Sequence, residues 1–195
     1  MYVGPPIDDE EIVGHVPPEY RELLNRVNGY VAYHGGLHVR GACVEPEWHS
    51  LRAAWLGDRA IHKLFASVRP SDVPFAEDAL GDQFLVRDEL VFRLHGETGE
   101  LEALGVDLAG FDSAARADPV EYLALQPLEQ FRAEGGSLEP GQLLSVYPPF
   151  CVKESASGVS FRAISAAERL AFLASLAAQL QGVPDGAVID FDVKP

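Results

Sequence analysis

Lysine is scarce in this chain, with only Lys63, Lys153 and Lys194 in 195 residues. The 30 acidic residues outnumber the 15 basic ones, which gives a formal net charge of −15 at pH 7. Nucleic acids and anionic membrane surfaces are bound by faces rich in Lys and Arg, which replace their counterions. The charge balance therefore argues against nucleic acid and membrane surfaces as partners, and it favours a basic protein.

Cysteine and long apolar runs are scarce as well. Cys43 and Cys151 are the only cysteines, and although they could pair, two cysteines do not make a disulfide framework in a chain of this length. The first residues lack the basic start and apolar stretch of a secretory signal, and no run of 18 apolar residues predicts a membrane span. We therefore expect a cytoplasmic protein of bacterial type.

The common catalytic and nucleotide-binding motifs are also missing, since the chain has no Gly-x-Ser-x-Gly, Gly-x-x-x-x-Gly-Lys or Gly-x-Gly-x-x-Gly. His34 and His38 have the spacing of a zinc-protease pair, but the intervening Gly-Gly-Leu disfavours a helix and supplies no carboxylate. We interpret them as histidines that flank a turn, and we expect His49 and His62 at the surface. Neither cysteine lies in a motif with a histidine. The sequence thus predicts no catalytic residue, no metal and no cofactor.

The apolar spacing predicts several helices. Residues 17–29 form the clearest one, because a proline begins it, Asn-Gly ends it and four apolar residues share one face. These four are Tyr20, Leu23, Leu24 and Val27. Interrupted helices are predicted over residues 47–65, where Trp48 and Trp55 would share a core-facing side, and over residues 111–131. A capping box at residues 165–168 begins a helix that runs to Gly182.

Period-two alternation predicts the strands. Residues 30–44 indicate strand, turn and strand around Gly35-Gly36. Residues 82–86 and 90–94 indicate a hairpin followed by a strand over residues 100–104, and the alternation in residues 90–94 is typical of a strand covered on one side. Further strands are predicted near residues 150–152 and 159–161 and over residues 187–193.

Together these elements predict an α+β fold with a central, mostly antiparallel sheet and helices packed against it. No linker or repeat divides the chain, so we expect one domain over residues 1–195. Its first 14 residues contain four consecutive acids, Asp8 to Glu11, and are expected to form a solvated, mobile segment. Residues 126–195 are expected to form a C-terminal extension packed on the same domain.

Three regions, in order, resemble the SUKH superfamily over about residues 17–125, the last of them being the short segment and closing helix over residues 105–125. The motifs that carry the resemblance are Pro17, Tyr20, Leu23-Leu24 and Asn28-Gly29 in the first helix, then Gly81-Asp82, Phe84 and the strand over residues 90–94. The segment Tyr30 to His34 departs from the pattern, because it is more polar than the aromatic start of the sheet that is usual in this family.

The resemblance implies a SUKH-like fold and the role of an immunity protein, which neutralises a cognate bacterial toxin by direct binding. Toxins of this kind are often nucleases or deaminases, and a basic nucleic-acid-binding cleft would complement the charge of this chain. The resemblance assigns no toxin-contacting residue, because the binding surface is the part of such proteins expected to vary most.

The acids around the predicted hairpin are the candidate contact patch for such a partner, if they gather on one face. They are Asp82, Asp88, Glu89, Glu97, Glu100 and Glu102. Solvation alone also explains acidic turns. Two other functions stay open: a regulatory or small-ligand-binding module whose sheet and helices enclose a pocket, and a hydrolase with a cleft where an acid meets a histidine or cysteine.

Overall fold

A seven-stranded antiparallel sheet forms the centre of the computed structural model, which describes residues 2–184 and 186. Its strands lie side by side in chain order: β1 (Tyr2–Val3), β2 (Tyr30–Ala32), β3 (Leu37–Val39), β4 (Val73–Asp78), β5 (Gln83–Arg87), β6 (Leu90–Leu94) and β7 (Leu101–Ala103). A second, two-stranded antiparallel sheet consists of β8 (Gln142–Tyr147) and β9 (Ser160–Ser165). The predicted α+β fold with an antiparallel sheet is confirmed.

Helices connect and cover these strands. They are α1 (Glu10–His15), α2 (Pro18–Arg26), α3 (Leu51–Leu56), α4 (Ile61–Leu64), α5 (Leu108–Ala117), α6 (Pro119–Tyr122), α7 (Gln126–Ala133) and α8 (Ala166–Leu180). The first predicted helix is confirmed as α2, which buries Tyr20 and Leu24. The start of α8 is also as predicted, because the Ser165 hydroxyl accepts a hydrogen bond from the Glu168 amide at 3.2 Å.

Both faces of the sheet are covered, in contrast to the one-sided strand predicted for residues 90–94. Val91 belongs to the larger core, which includes side chains of α1, α2 and α5. Leu94 lies on the opposite face, in a smaller core with Phe65 and with Leu173 of α8. The alternation in β6 did not reveal the second cover because that cover comes from residues far along the chain.

The acidic N-terminal segment is ordered, which corrects the prediction of a mobile tail. Strand β1 pairs with β2, and Asp9, only 6% exposed, accepts a hydrogen bond from the Ile12 amide at 3.2 Å as the N-cap of α1. The same carboxylate forms an ion pair with Arg52, with Nη2 at 2.8 Å from Oδ1. Asp9 is therefore buried at little cost, because the first turn of α1 and Arg52 both bind its carboxylate.

The C-terminal region packs against the central sheet through β8 and α8. The Leu144 amide of β8 donates to the Ala79 carbonyl at 2.7 Å, and Leu173 of α8 packs in the core beside Leu85. Residues 150–152 do not form the predicted strand, since the first strand of this pair ends at Tyr147. The strand predicted over residues 187–193 lies outside the described residues. Within residues 2–184, no helix has the length and apolar character needed to span a membrane.

We predict that Tyr20→Phe lowers the free energy of unfolding by about 1–2 kcal/mol. The Tyr20 hydroxyl is fully buried and donates to the Arg40 carbonyl at 2.6 Å, so its loss leaves that carbonyl without this donor, whereas the Phe75 carbonyl, 3.3 Å from the hydroxyl, keeps the Arg40 amide. Urea unfolding measures the change. Tyr147→Phe is the control, because Tyr147 is 75% exposed; equal stability of the two variants would contradict the assigned role of the Tyr20 hydroxyl.

Candidate functional site

The six predicted contact acids lie at two opposite ends of the β5–β6 hairpin. Asp88 and Glu89 form its turn and are exposed. The other four, Asp82, Glu97, Glu100 and Glu102, lie at the far end, around the connection from β6 to β7. The five residues of β5 separate the two groups by about 17 Å, at about 3.4 Å per residue. The structure therefore does not bring the six acids into one patch.

The Asp82 carboxylate is occupied by contacts within the protein. Its carboxylate lies 2.9 Å from Arg93 Nε and 3.6 Å from His95 Nδ1. Burial acts to raise the pKa of Asp82, but His95 and Arg93 outweigh it and hold the pKa below the ordinary value. On the other side of His95, Nε2 lies 3.1 Å from Glu102. The nearby Asp82 carboxylate in turn raises the pKa of His95.

Glu97 joins the hairpin to the C-terminal region. Its two carboxylate oxygens accept hydrogen bonds from the amides of Phe150, at 3.1 Å, and Cys151, at 2.8 Å. The guanidinium of Arg169, on α8 and only 1% exposed, lies 3.8 Å away. Of the four acids at this end, Glu100 and Glu102 are the ones with exposed side chains.

Large aromatic side chains are exposed at the end of β8, in the loop after it and on α8. Tyr147 is 75% exposed, Phe150 43% and Phe172 38%. Phe150 follows Tyr147 by three residues, and Phe172 covers the guanidinium of Arg169 at 5.6 Å from ring centroid to Cζ. We call Tyr147, Phe150 and Phe172 the aromatic face. Sequence reasoning missed it because no local pattern links residues 147–150 to α8.

A buried polar network crosses the central sheet. Glu77 accepts from Arg40 Nη2 at 2.8 Å and from Gln83 Nε2 at 3.1 Å, and its other oxygen lies 2.9 Å from His38 Nδ1. His38 Nε2 contacts His49 Nδ1 at 2.8 Å. His49 Nε2 lies 3.0 Å from the Asn28 carbonyl. His49 is completely buried, so the prediction of a surface position was wrong, whereas His62 on α4 is partly exposed.

The atoms of this network already contact one another. Burial lowers the pKa of His38, and it lowers the pKa of His49 to about 4. Burial would raise the pKa of Glu77, but Arg40 and His38 lower it to about 2. Both nitrogens of each imidazole are engaged, and within the described residues neither ring bonds to a serine, threonine or cysteine. The acid and histidine expected of a hydrolase therefore meet here, and in the described part of the chain no nucleophile is hydrogen-bonded to them.

A cleft of about 570 Å³ opens beside this network, and His38 and Glu77 form part of its wall. Trp48 also lines it, from a short 3-10 helix (Glu47–His49) rather than from one helix shared with Trp55 as predicted. Exposed His34 and Arg132 line the mouth. At His34 the φ angle is 59°, and backbone in this left-handed region is often found at ligand-binding positions.

The two cysteines are free, with Cys43 buried and Cys151 exposed. Burial, followed by nearby carboxylates, raises the pKa of Cys43 to about 11 and that of Cys151 to about 12. The reactive thiolate form is therefore rare near neutral pH. Among the residues that the structure describes, no group of three or more His, Cys, Asp or Glu side chains could hold a metal ion.

Comparison of the chain with models of protein families, with curated proteins and with solved structures finds no match. The candidate sites are therefore defined by geometry alone. They are the acidic end of the hairpin with its neighbouring aromatic face, and the cleft beside the His38–Glu77 pair.

We predict that His95 makes the protein less stable as the pH rises above about 6.5, the ordinary pKa of histidine. Its pKa is raised in the folded state by Asp82, so the folded protein holds a proton that the unfolded chain has released. This contribution is complete below pH 6.5 and is lost as the pH passes the raised value. Urea unfolding across this pH range should show a decline that is weaker in His95→Gln.

His34→Gln is the matched control for this titration. His34 is exposed and lies at the cleft mouth, far along the chain from Asp82. It should keep the wild-type dependence of stability on pH. A decline that is the same in His95→Gln as in the wild type would show that the contacts with Asp82 and Glu102 do not hold the proton.

Proposed function

We propose that this chain is a non-catalytic immunity protein of SUKH type, which acts in the cytoplasm and neutralises a cognate bacterial toxin by binding it directly. The observation that carries the proposal is the excess of exposed carboxylates on a chain of net charge −15. Such a surface attracts a basic partner, speeds its encounter and repels nucleic acid. A nuclease or deaminase toxin with a basic substrate cleft has the complementary charge.

Part of this charge is concentrated near the N-terminus. Five exposed carboxylates lie on two adjoining segments: Asp8, Glu10, Glu11, Glu45 and Glu47. The segments are joined by a hydrogen bond of 2.8 Å from the Val44 amide to Asp8. Arg52, which contacts Asp9 and Glu11, neutralises only part of this region.

The state of the reactive groups also supports a binding role. The buried His38 and His49 contact other protein groups through both nitrogens, and both cysteines have raised pKa values. Nucleophilic catalysis requires a nucleophile within hydrogen-bond reach of a base. A protein that acts by occupying a surface requires neither.

We predict that this chain binds the toxin-like protein encoded by the gene next to its own and restores growth when the two are co-expressed. Titration of the purified pair should show affinity falling about tenfold or more from low to physiological salt, because screening weakens attraction between exposed charges. If the neighbouring product is harmless to cells, or if the pair does not bind at low salt, the proposal is wrong.

A second candidate function is the binding of a small ligand, and the cleft is the observation that favours it. Its volume of about 570 Å³ is within the usual range of ligand pockets, and Trp48, His34 and Arg132 offer an aromatic wall and polar groups at the mouth. A metabolite panel should then contain a compound that raises the melting temperature of the wild type and not that of Trp48→Ala. No shift with any compound would count against this candidate.

A further inference from the structure

We infer that the aromatic face, Tyr147, Phe150 and Phe172, is the docking surface for a protein whose matching surface is apolar at its centre and basic at its rim. The inference rests on the proposed function and names the part of the surface that makes the contact. It differs from the hairpin patch expected from the sequence, because two of those acids lie at the other end of β5.

Among the large apolar side chains exposed within residues 2–184, those of this face are the aromatic ones. The other large apolar side chains with comparable exposure are Val3, Val44, Leu56 and Leu90. They lie on β1, in the loop before residue 47, at the end of α3 and at the start of β6, and they are aliphatic. Aromatic side chains, Tyr above all, are the ones enriched where binding energy concentrates in protein interfaces.

One largely buried ion pair connects the two phenylalanines of the aromatic face. Glu97 accepts the amides of Phe150 and Cys151, and Arg169 lies 3.8 Å from the same carboxylate. The Arg169 guanidinium also lies 5.6 Å under the ring of Phe172. Because the same ion pair fixes both phenylalanines, a partner that docks on them orders few additional groups, which lowers the entropic cost of binding.

The outward side of α8 continues this face with little charge. Its exposed residues are Ala167, Glu168, Ala171, Phe172, Ser175 and Ala178. A solvent-facing helix side ordinarily carries several charged residues. Small neutral residues around Phe172 instead allow another surface to approach closely.

The charged residues around the aromatic face indicate the sign of the charge expected on the partner. Four exposed carboxylates lie on the segments that adjoin it: Glu100 and Glu102 beyond the turn that carries Glu97, Glu154 after Cys151, and Glu168 one turn before Phe172. Lys153 and Arg162 are the exposed cations of these segments. The negative excess, on a chain that is acidic as a whole, complements a basic rim around an apolar centre.

The experiment compares variants of the full-length chain in binding to, and growth rescue from, the toxin-like product of the neighbouring gene. Tyr147→Ala and Phe150→Ser should each weaken binding about tenfold or more, the loss typical of an interface hot spot. Leu90→Ala and Val44→Ala, which also remove exposed apolar side chains, should leave binding within about twofold of the wild type. Melting temperatures confirm that each variant is folded, and Tyr147→Ala is the decisive one because its side chain is the most exposed.

Charge is tested with two variants of equal net charge. Glu100→Lys with Glu102→Lys changes the end beside the aromatic face, and Asp88→Lys with Glu89→Lys changes the opposite end of the hairpin. Both pairs of substitutions weaken the long-range attraction equally, but only the first also removes local contacts with the partner. The first pair should therefore weaken binding at least about fivefold more than the second. Equal losses from the two pairs would contradict docking at this end.

The outcomes separate the two proposals. If the wild type rescues growth and Tyr147→Ala rescues it equally, the docking inference is wrong and the immunity function stands. If the wild type fails to rescue, the immunity function itself is wrong. If light scattering shows a dimer that Tyr147→Ala dissociates while toxin binding is unchanged, the aromatic face contacts a second copy of this chain, which also overturns the inference.

Discussion

The buried ion pair between Arg40 and Glu77 constrains the middle of this structure. Arg40 also donates to the Pro74 and Ala76 carbonyls and to Gln83, and Glu77 reaches His38. Loss of one partner would leave a buried charge unpaired, at a cost of several kcal/mol. Strands β3, β4 and β5 must therefore meet in the register that brings these side chains together.

The same constraint limits what the cleft can do. Glu77 and His38 have the residue types of an acid–base pair, but their atoms are used to satisfy each other and their buried neighbours. Proton exchange between this pair and a substrate would require one of these atoms to leave its present partner.

A second ion pair, between Glu97 and Arg169, lies beneath the aromatic face. It connects the turn after β6 with the loop after β8 and with α8, so three separate parts of the chain meet under two exposed phenylalanines. Glu97, an acid that the sequence suggested as a contact for a partner, therefore supports neighbouring residues of the aromatic face.

The elements that could be predicted from the sequence are those whose signals lie within one short segment. Helix α2 has its proline start and apolar face within one short segment, and the β5–β6 hairpin has its alternation and turn within another. Contacts between distant residues were not predictable, such as Glu97 with Phe150, 53 residues apart, and His38 with Glu77, 39 apart. For the same reason the sequence predicts a free tail at the N-terminal acids, since Arg52, the partner of Asp9, lies 43 residues away.

Amide hydrogen exchange of this chain, free and bound to the toxin-like product of the neighbouring gene, tests the central claim most directly. The account predicts slower exchange on binding in residues 147–152 and 168–176, and unchanged exchange around Asp88 and Glu89. Protection confined to residues 34–38 and 132–142, which line the cleft, would show that the aromatic face is not the site of contact.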